Sequence, residues 1–186
     1  NFFCAIDRRD LQFTLDGSAI VINNLSIGQH LEDPAIEQAA ENLNDLENLE
    51  LARSFYTCLK SPDSTESILN IPSIGRFSAR ILVKDGLQKR IAIIRNGMYI
   101  TDNLQFFGQR FERFPMYKDF VAIVEPISDE AVKILRELED PEHVNFSPAR
   151  IPDENRRNTI DKGMKELGRQ IREAIKTEAI THHENQ

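Results

Sequence analysis

Nucleophilic catalysis needs a serine or cysteine within reach of a histidine that a carboxylate orients. His30 and His143 are the histidines inside the chain, with His182 and His183 at its end. No nucleophile elbow accompanies His30 or His143, so neither is given a catalytic role. Metal binding needs clustered His, Cys or carboxylate ligands. Glu139, Asp140, Glu142 and His143 do cluster. Carboxylates flanking a helix end ordinarily face water, and we read them so. A phosphate cradle needs a Gly-rich turn that opens a helix. Gly97 and Gly108 stand outside any Walker-type spacing. The residues therefore predict no catalytic group, no metal site and no cofactor held by these 186 residues alone.

A different chemistry is suggested between residues 106 and 117. Phe106, Phe107, Phe111, Phe114 and Tyr117 interleave there with Arg110 and Arg113. Stacking combined with charge is how single-stranded nucleic acid is held. The same pattern arises when the phenylalanines face a core and the arginines face water, and that simpler reading is preferred. Taken more widely, the basic band supplies an alternative set of nucleic-acid contacts: Arg76, Arg80, Lys89, Arg90, Arg110 and Arg113.

The elements that must carry these residues follow from periodicity and turn chemistry. Leu11–Leu15 and Ala19–Ile22 flank Asp16-Gly17, a hairpin signal, and read as a short hairpin or a strand entering a loop. Asp33-Pro34 is a good helix start, a capping Asp before a Pro at the first helical position. Ile36, Ala39, Leu43, Leu46, Leu49, Ala52, Phe55 and Leu59 then recur at helical spacing. They predict one long amphipathic helix, broken near Asn48, whose acidic face fits either a docking surface or a solvated face, the second being preferred. Ser61–Ser64 is a linker, and Ser67–Leu69 is too short to assign. Phe77–Val83 and Arg90–Ile100 are strands about a turn at residues 84–87. The run Ile91–Ile94 suggests burial on both faces, and Asn96-Gly97 is read as a bulge or a close backbone approach. Asp102–Lys118 is a loop, and Asp119–Val124 is a third strand. Ser128 caps a helix over Glu130–Leu138 that Pro141 ends. Ser147–Pro152 is a link. Glu154–Ala179 is a final helix with the stripe Ile160, Met164, Leu167, Ile171 and Ala174 or Ile175. The fold class is α/β or α+β: a mixed sheet of about four strands with flanking helices and a C-terminal helix. The expected divisions are 1–65 (hairpin and long helical segment), 66–145 (sheet core) and 146–186 (C-terminal helix and tail).

Composition is ordinary for a globular protein, with 40% hydrophobic and 28% charged residues. The net charge of −7 disfavours general nucleic-acid binding. The charge is uneven: residues 31–50 hold seven acidic residues and no basic one, and residues 76–118 hold nine basic and three acidic residues. Cys4 and Cys58 lack metal-type spacing and are expected to be buried free thiols. No apolar run approaches a membrane span, and no signal peptide is visible, so the expected location is the cytoplasm. The chain opens at Asn1 inside an apolar stretch, which suggests a piece of a longer polypeptide.

Two segments carry a family resemblance. Arg95-Asn96-Gly97-Met98 follows an apolar strand, and Leu135-Arg136-Glu137-Leu138-Glu139-Asp140-Pro141-Glu142-His143 closes the sheet region, with Tyr117–Val124 between them. This region, about residues 75–145, resembles the part that follows the ATP-binding domain in bacterial GHKL-type ATPases, the superfamily of gyrase, histidine kinases, mismatch-repair MutL and the ninety-kilodalton heat-shock chaperone. Specifically, it resembles Hsp90-like ATP-binding proteins with an R-N-G-M strand and an R-x-x-E-x-P-x-H segment. The resemblance implies a transducer domain like the second domain of a ribosomal protein, a mixed sheet with helices on one face. It implies a basic residue that reaches the γ-phosphate of ATP in the preceding domain, with Arg136 and then Arg95 as candidates. ATP and Mg²⁺ would belong to that domain, whose Asn-bearing helix and Gly-rich lid are absent here. The implied partner is the preceding ATPase domain of the same polypeptide. Alternative partners are nucleic acid along the basic band, or a second copy packed on the Ile160–Ile175 stripe.

Overall fold

The computed structural model describes residues 11–15, 18–22, 24–96, 98–141 and 145–180. Strands β1 (Leu11–Leu15) and β2 (Ser18–Ile22) pair antiparallel as the expected hairpin. Three helices follow, α1 (Asn24–Leu31), α2 (Pro34–Asn42) and α3 (Leu46–Lys60). Then come β3 (Thr65–Ile71), β4 (Gly75–Val83), β5 (Arg90–Arg95), β6 (Met98–Thr101) and β7 (Phe120–Pro126). Helices α4 (Asp129–Leu138) and α5 (Glu154–Ala179) complete the chain.

The last five strands form one sheet in the order β3-β4-β7-β5-β6. Three neighbouring pairs are antiparallel and β5–β7 is parallel, so the sheet is mixed. β7 occupies the centre, and its first five residues, Phe120 to Val124, are all buried. A strand covered on both faces loses alternation and reads as a continuous apolar run.

Both faces are covered. Leu51, Phe55 and Cys58 of α3 pack on Leu82, Ala92, Ile94, Val121 and Ile123. On the opposite face, α4 and α5 pack on Phe77, Ala79, Ile81, Ile91, Ile93, Ala122 and Val124. The architecture is thus α+β, with helices on both faces where the transducer resemblance implies one. The stripe Ile160, Met164, Leu167, Ile171 and Ile175 is 0–2% exposed. It lies inside the chain's own core, so it is not a surface for a second copy, contrary to that expectation. The α5 helix sits close because it carries glycine at contact points. A Cβ on Gly168 would run into the carbonyl oxygen of Phe107, and one on Gly163 would lie 2.7 Å from Ile74 Cγ2.

Several expected elements need correction. The long helix is two helices, and the break falls at Asn44, with φ +53, four residues before the expected Asn48. β3 is a full seven-residue edge strand. The expected second strand is a hairpin: Arg95 pairs with Met98, and Asn96 takes φ +53 between them. The register irregularity lies earlier, between Ile93 and Ile94. The helix starts hold: Asp33, Ser128 and Asp153 each accept a backbone N–H through their side chains. No helix among the described residues is long and apolar enough to cross a membrane.

Candidate functional site

Inward parity along β5 decides where Arg95 points. Ile91 and Ile93 face the α4–α5 layer, while Ala92 and Ile94 face α3. Arg95 continues the first set and meets Glu139, the C-cap of α4. Its Nε and Nη2 donate to the same carboxylate oxygen at 2.8 and 2.7 Å. The two side chains are 14% and 2% exposed. A charge this far from water requires a partner, because desolvation of an unpaired ion costs several kcal/mol.

The chain after α4 is built to hold Glu139 in place. Glu139 bridges Phe146 as an antiparallel pair. Ser147 N donates to Leu138 O at 2.9 Å, and Asp140 N donates to Asn145 O at 3.0 Å. Asn103, just past β6, donates through Nδ2 to Asn145 Oδ1 at 2.9 Å. The hairpin bearing Arg95, the end of α4 and the return at residues 145–147 are therefore tied at one junction. Glu139 is not the solvated member of an acidic cluster that its neighbours in the sequence suggest; it is buried and paired. The reason is that α4 ends against the sheet, with Leu138 fully buried beside it.

Arg136 stands on the same last turn of α4 and faces outward. It forms no ion pair among the described residues. The two sensing candidates are thus unlike: Arg95 is committed to Glu139, and Arg136 is a free surface cation. His143 and Glu142 lie outside the described residues, and His30 is exposed. Among the described residues no three His, Cys, Asp or Glu side chains converge to hold a metal ion.

Comparison with protein-family models, curated proteins and solved structures finds no match.

Half of the basic band is already paired with carboxylates. Arg80 pairs with Glu66 at 3.8 Å, and Lys89 with Asp119 at 3.3 Å. Arg90 sits between Glu47 and Asp102, at 3.2 and 3.3 Å. The backbone N–H of Gly86 and then Lys89 hold the Asp119 carboxyl below its ordinary range. A cavity of about 600 Å³ opens beside Lys89, Arg90, Asp102 and Glu112, walled by Phe111 and Phe114. Both of its cations already have carboxylate partners. Arg76, Arg110 and Arg113 are exposed without such partners among the described residues. Phe107 and Phe114 are buried, so the loop's aromatic rings serve mainly the core.

Sequence reasoning missed the Arg95–Glu139 pair, whose members stand 44 residues apart. The available signal was parity: an arginine two residues beyond Ile93 on a buried strand needs an anion beneath it.

Proposed function

We propose that this chain is a non-catalytic transducer domain of a GHKL-type ATPase, which passes the nucleotide state of a preceding ATP-binding domain to a partner. The observation that carries the reading is the Arg95–Glu139 pair. It joins the two segments on which the resemblance rests, at the end of the helix that also carries Arg136. A γ-phosphate that met Arg136 would pull on α4. Because α4 is clamped at Glu139, the displacement would reach the β5–β6 hairpin rather than fray the helix end. The phosphate biases such an equilibrium only by contacts it makes in one state and not the other. ATP and Mg²⁺ are held by the preceding domain on this reading, and the protein works in the cytoplasm.

The test is ATP turnover by the full polypeptide as wild type and as Arg136→Ala. Lower turnover in the variant, with unchanged melting temperature, is the expected result. Equal turnover in a folded variant removes Arg136 from the mechanism. Absence of turnover in the wild type removes the ATPase reading altogether. The paired cations of the basic band give the nucleic-acid alternative no comparable support.

A further inference from the structure

Helix α2 has no buried residue. A nine-residue helix without packing is marginal in water, yet this one is firmly held. Pro34 fills its first turn, and Asp33 accepts from Ala35 N at 2.8 Å. Arg53 of α3, only 17% exposed, reaches Glu37 at 3.2 Å. The same guanidinium donates to Leu31 O at 2.7 Å. One arginine thus staples the end of α1 and the side of α2 to α3.

This fixed helix presents apolar side chains to solvent among its polar ones. Ile36, Ala39 and Leu43 recur at steps of three and four residues, and Leu46 opens α3 just beyond the break at Asn44. Ile36 is 41% exposed, Leu43 77% and Leu46 37%. The charge beside these residues is acidic. Glu41 and Asp45 form no ion pair among the described residues, and no Lys or Arg occurs from residue 31 to residue 50. An apolar ridge beside carboxylates that have no cation partner selects its partner by charge as well as by shape.

We propose that this ridge docks a basic amphipathic helix of another protein, with its apolar face on Ile36, Leu43 and Leu46 and its lysines or arginines beside Glu41 and Asp45. An amphipathic helix is read through apolar anchors one turn apart, and flanking charge adds specificity. A second copy of this chain is a poor occupant, because two acidic rims would face each other and repel.

The probe is a synthetic helical peptide with leucines at i, i+3, i+4 and i+7 and lysines elsewhere. Its binding to the full chain is read by fluorescence anisotropy, beside a counterpart with glutamate for lysine. The lysine peptide is expected to bind and the glutamate peptide not. Leu43→Ser should weaken binding about tenfold, equivalent to roughly 1.4 kcal/mol. The double variant Glu41→Lys, Asp45→Lys should abolish the salt dependence. Equal binding by wild type and Leu43→Ser, or no binding at all, overturns the proposal. So does a wild-type dimer that Leu43→Ser dissociates in sedimentation, since a second copy is then the occupant. A lower melting temperature for Leu43→Ser also overturns it, since the chain's own residues then cover the ridge.

Discussion

The guanidinium of Arg95 lies 2.7 Å from the carboxylate of Glu139, and water reaches little of either side chain. Removing one partner of a buried pair strands the other, at a cost of about 3–5 kcal/mol. Replacing both by apolar residues of similar volume is often close to neutral. Arg95→Met and Glu139→Leu are therefore each expected to lower the urea midpoint strongly, and the double variant to recover most of the loss. Strictly additive losses in this cycle would show that the pair is not coupled.

Gly168 tests the seating of α5. Alanine is favoured over glycine in a helix interior by about 1 kcal/mol. Here the added methyl meets the Phe107 carbonyl oxygen, which is backbone and cannot turn away. Forcing bulk into a packed contact typically costs about 1–3 kcal/mol, so steric cost should exceed propensity. Gly168→Ala is expected to lower the melting temperature. A rise would mean that α5 slides on the sheet more freely than the packing indicates.

The parts of this fold that were legible in the sequence are those where one face is buried or one cap is chemically distinctive. The α5 stripe from Ile160 to Ile175 and the caps Asp33 and Ser128 are cases of that kind. β3 was illegible because it is an edge strand: of Thr65–Ile71 only Leu69 and Ile71 are buried, too few to show alternation. The break at Asn44 depends on a single left-handed residue, which Asn tolerates but does not announce. At the candidate site, Arg95 and Glu139 were each noticed for other reasons. Their pairing depends on where α4 ends relative to β5, a tertiary fact with no local signature.

Arg172 holds the 110–117 loop from α5. Its Nη1 and Nη2 donate to the carbonyls of Arg110 and Arg113, both at 3.0 Å, and its guanidinium lies 4.9 Å from the Phe114 ring centroid. Two carbonyls and a ring face need a planar fork, which an ammonium cannot reproduce. Arg172→Lys should therefore resemble Arg172→Ala. Both are expected to speed tryptic cleavage after Arg110 and Arg113 severalfold while the sheet stays folded. Unchanged cleavage would show that the loop is held by Phe107 and Phe114 alone.

Cys58 supplies the pH-dependent prediction. It is fully buried on the sheet-facing side of α3, and burial pushes its thiol up to about 11. In the unfolded chain a thiol titrates near pH 8.5, roughly. The folded state thus binds this proton more tightly than the unfolded state. The contribution is complete below the unfolded value and is lost progressively as pH rises toward the folded value. In a Cys4→Ser background, the chain should lose roughly 2 kcal/mol more stability than its Cys58→Ala counterpart between about pH 8 and about pH 10, since one pKa unit is worth about 1.4 kcal/mol. The thiolate is the nucleophile, so a disulfide reagent should modify Cys58 only as fast as α3 lifts from the sheet. Urea melts across this pH range, read beside labelling rates, check both statements. Parallel pH profiles for the two proteins, with rapid labelling under native conditions, would place Cys58 in contact with water and contradict the packing of α3 on Leu82 and Val121.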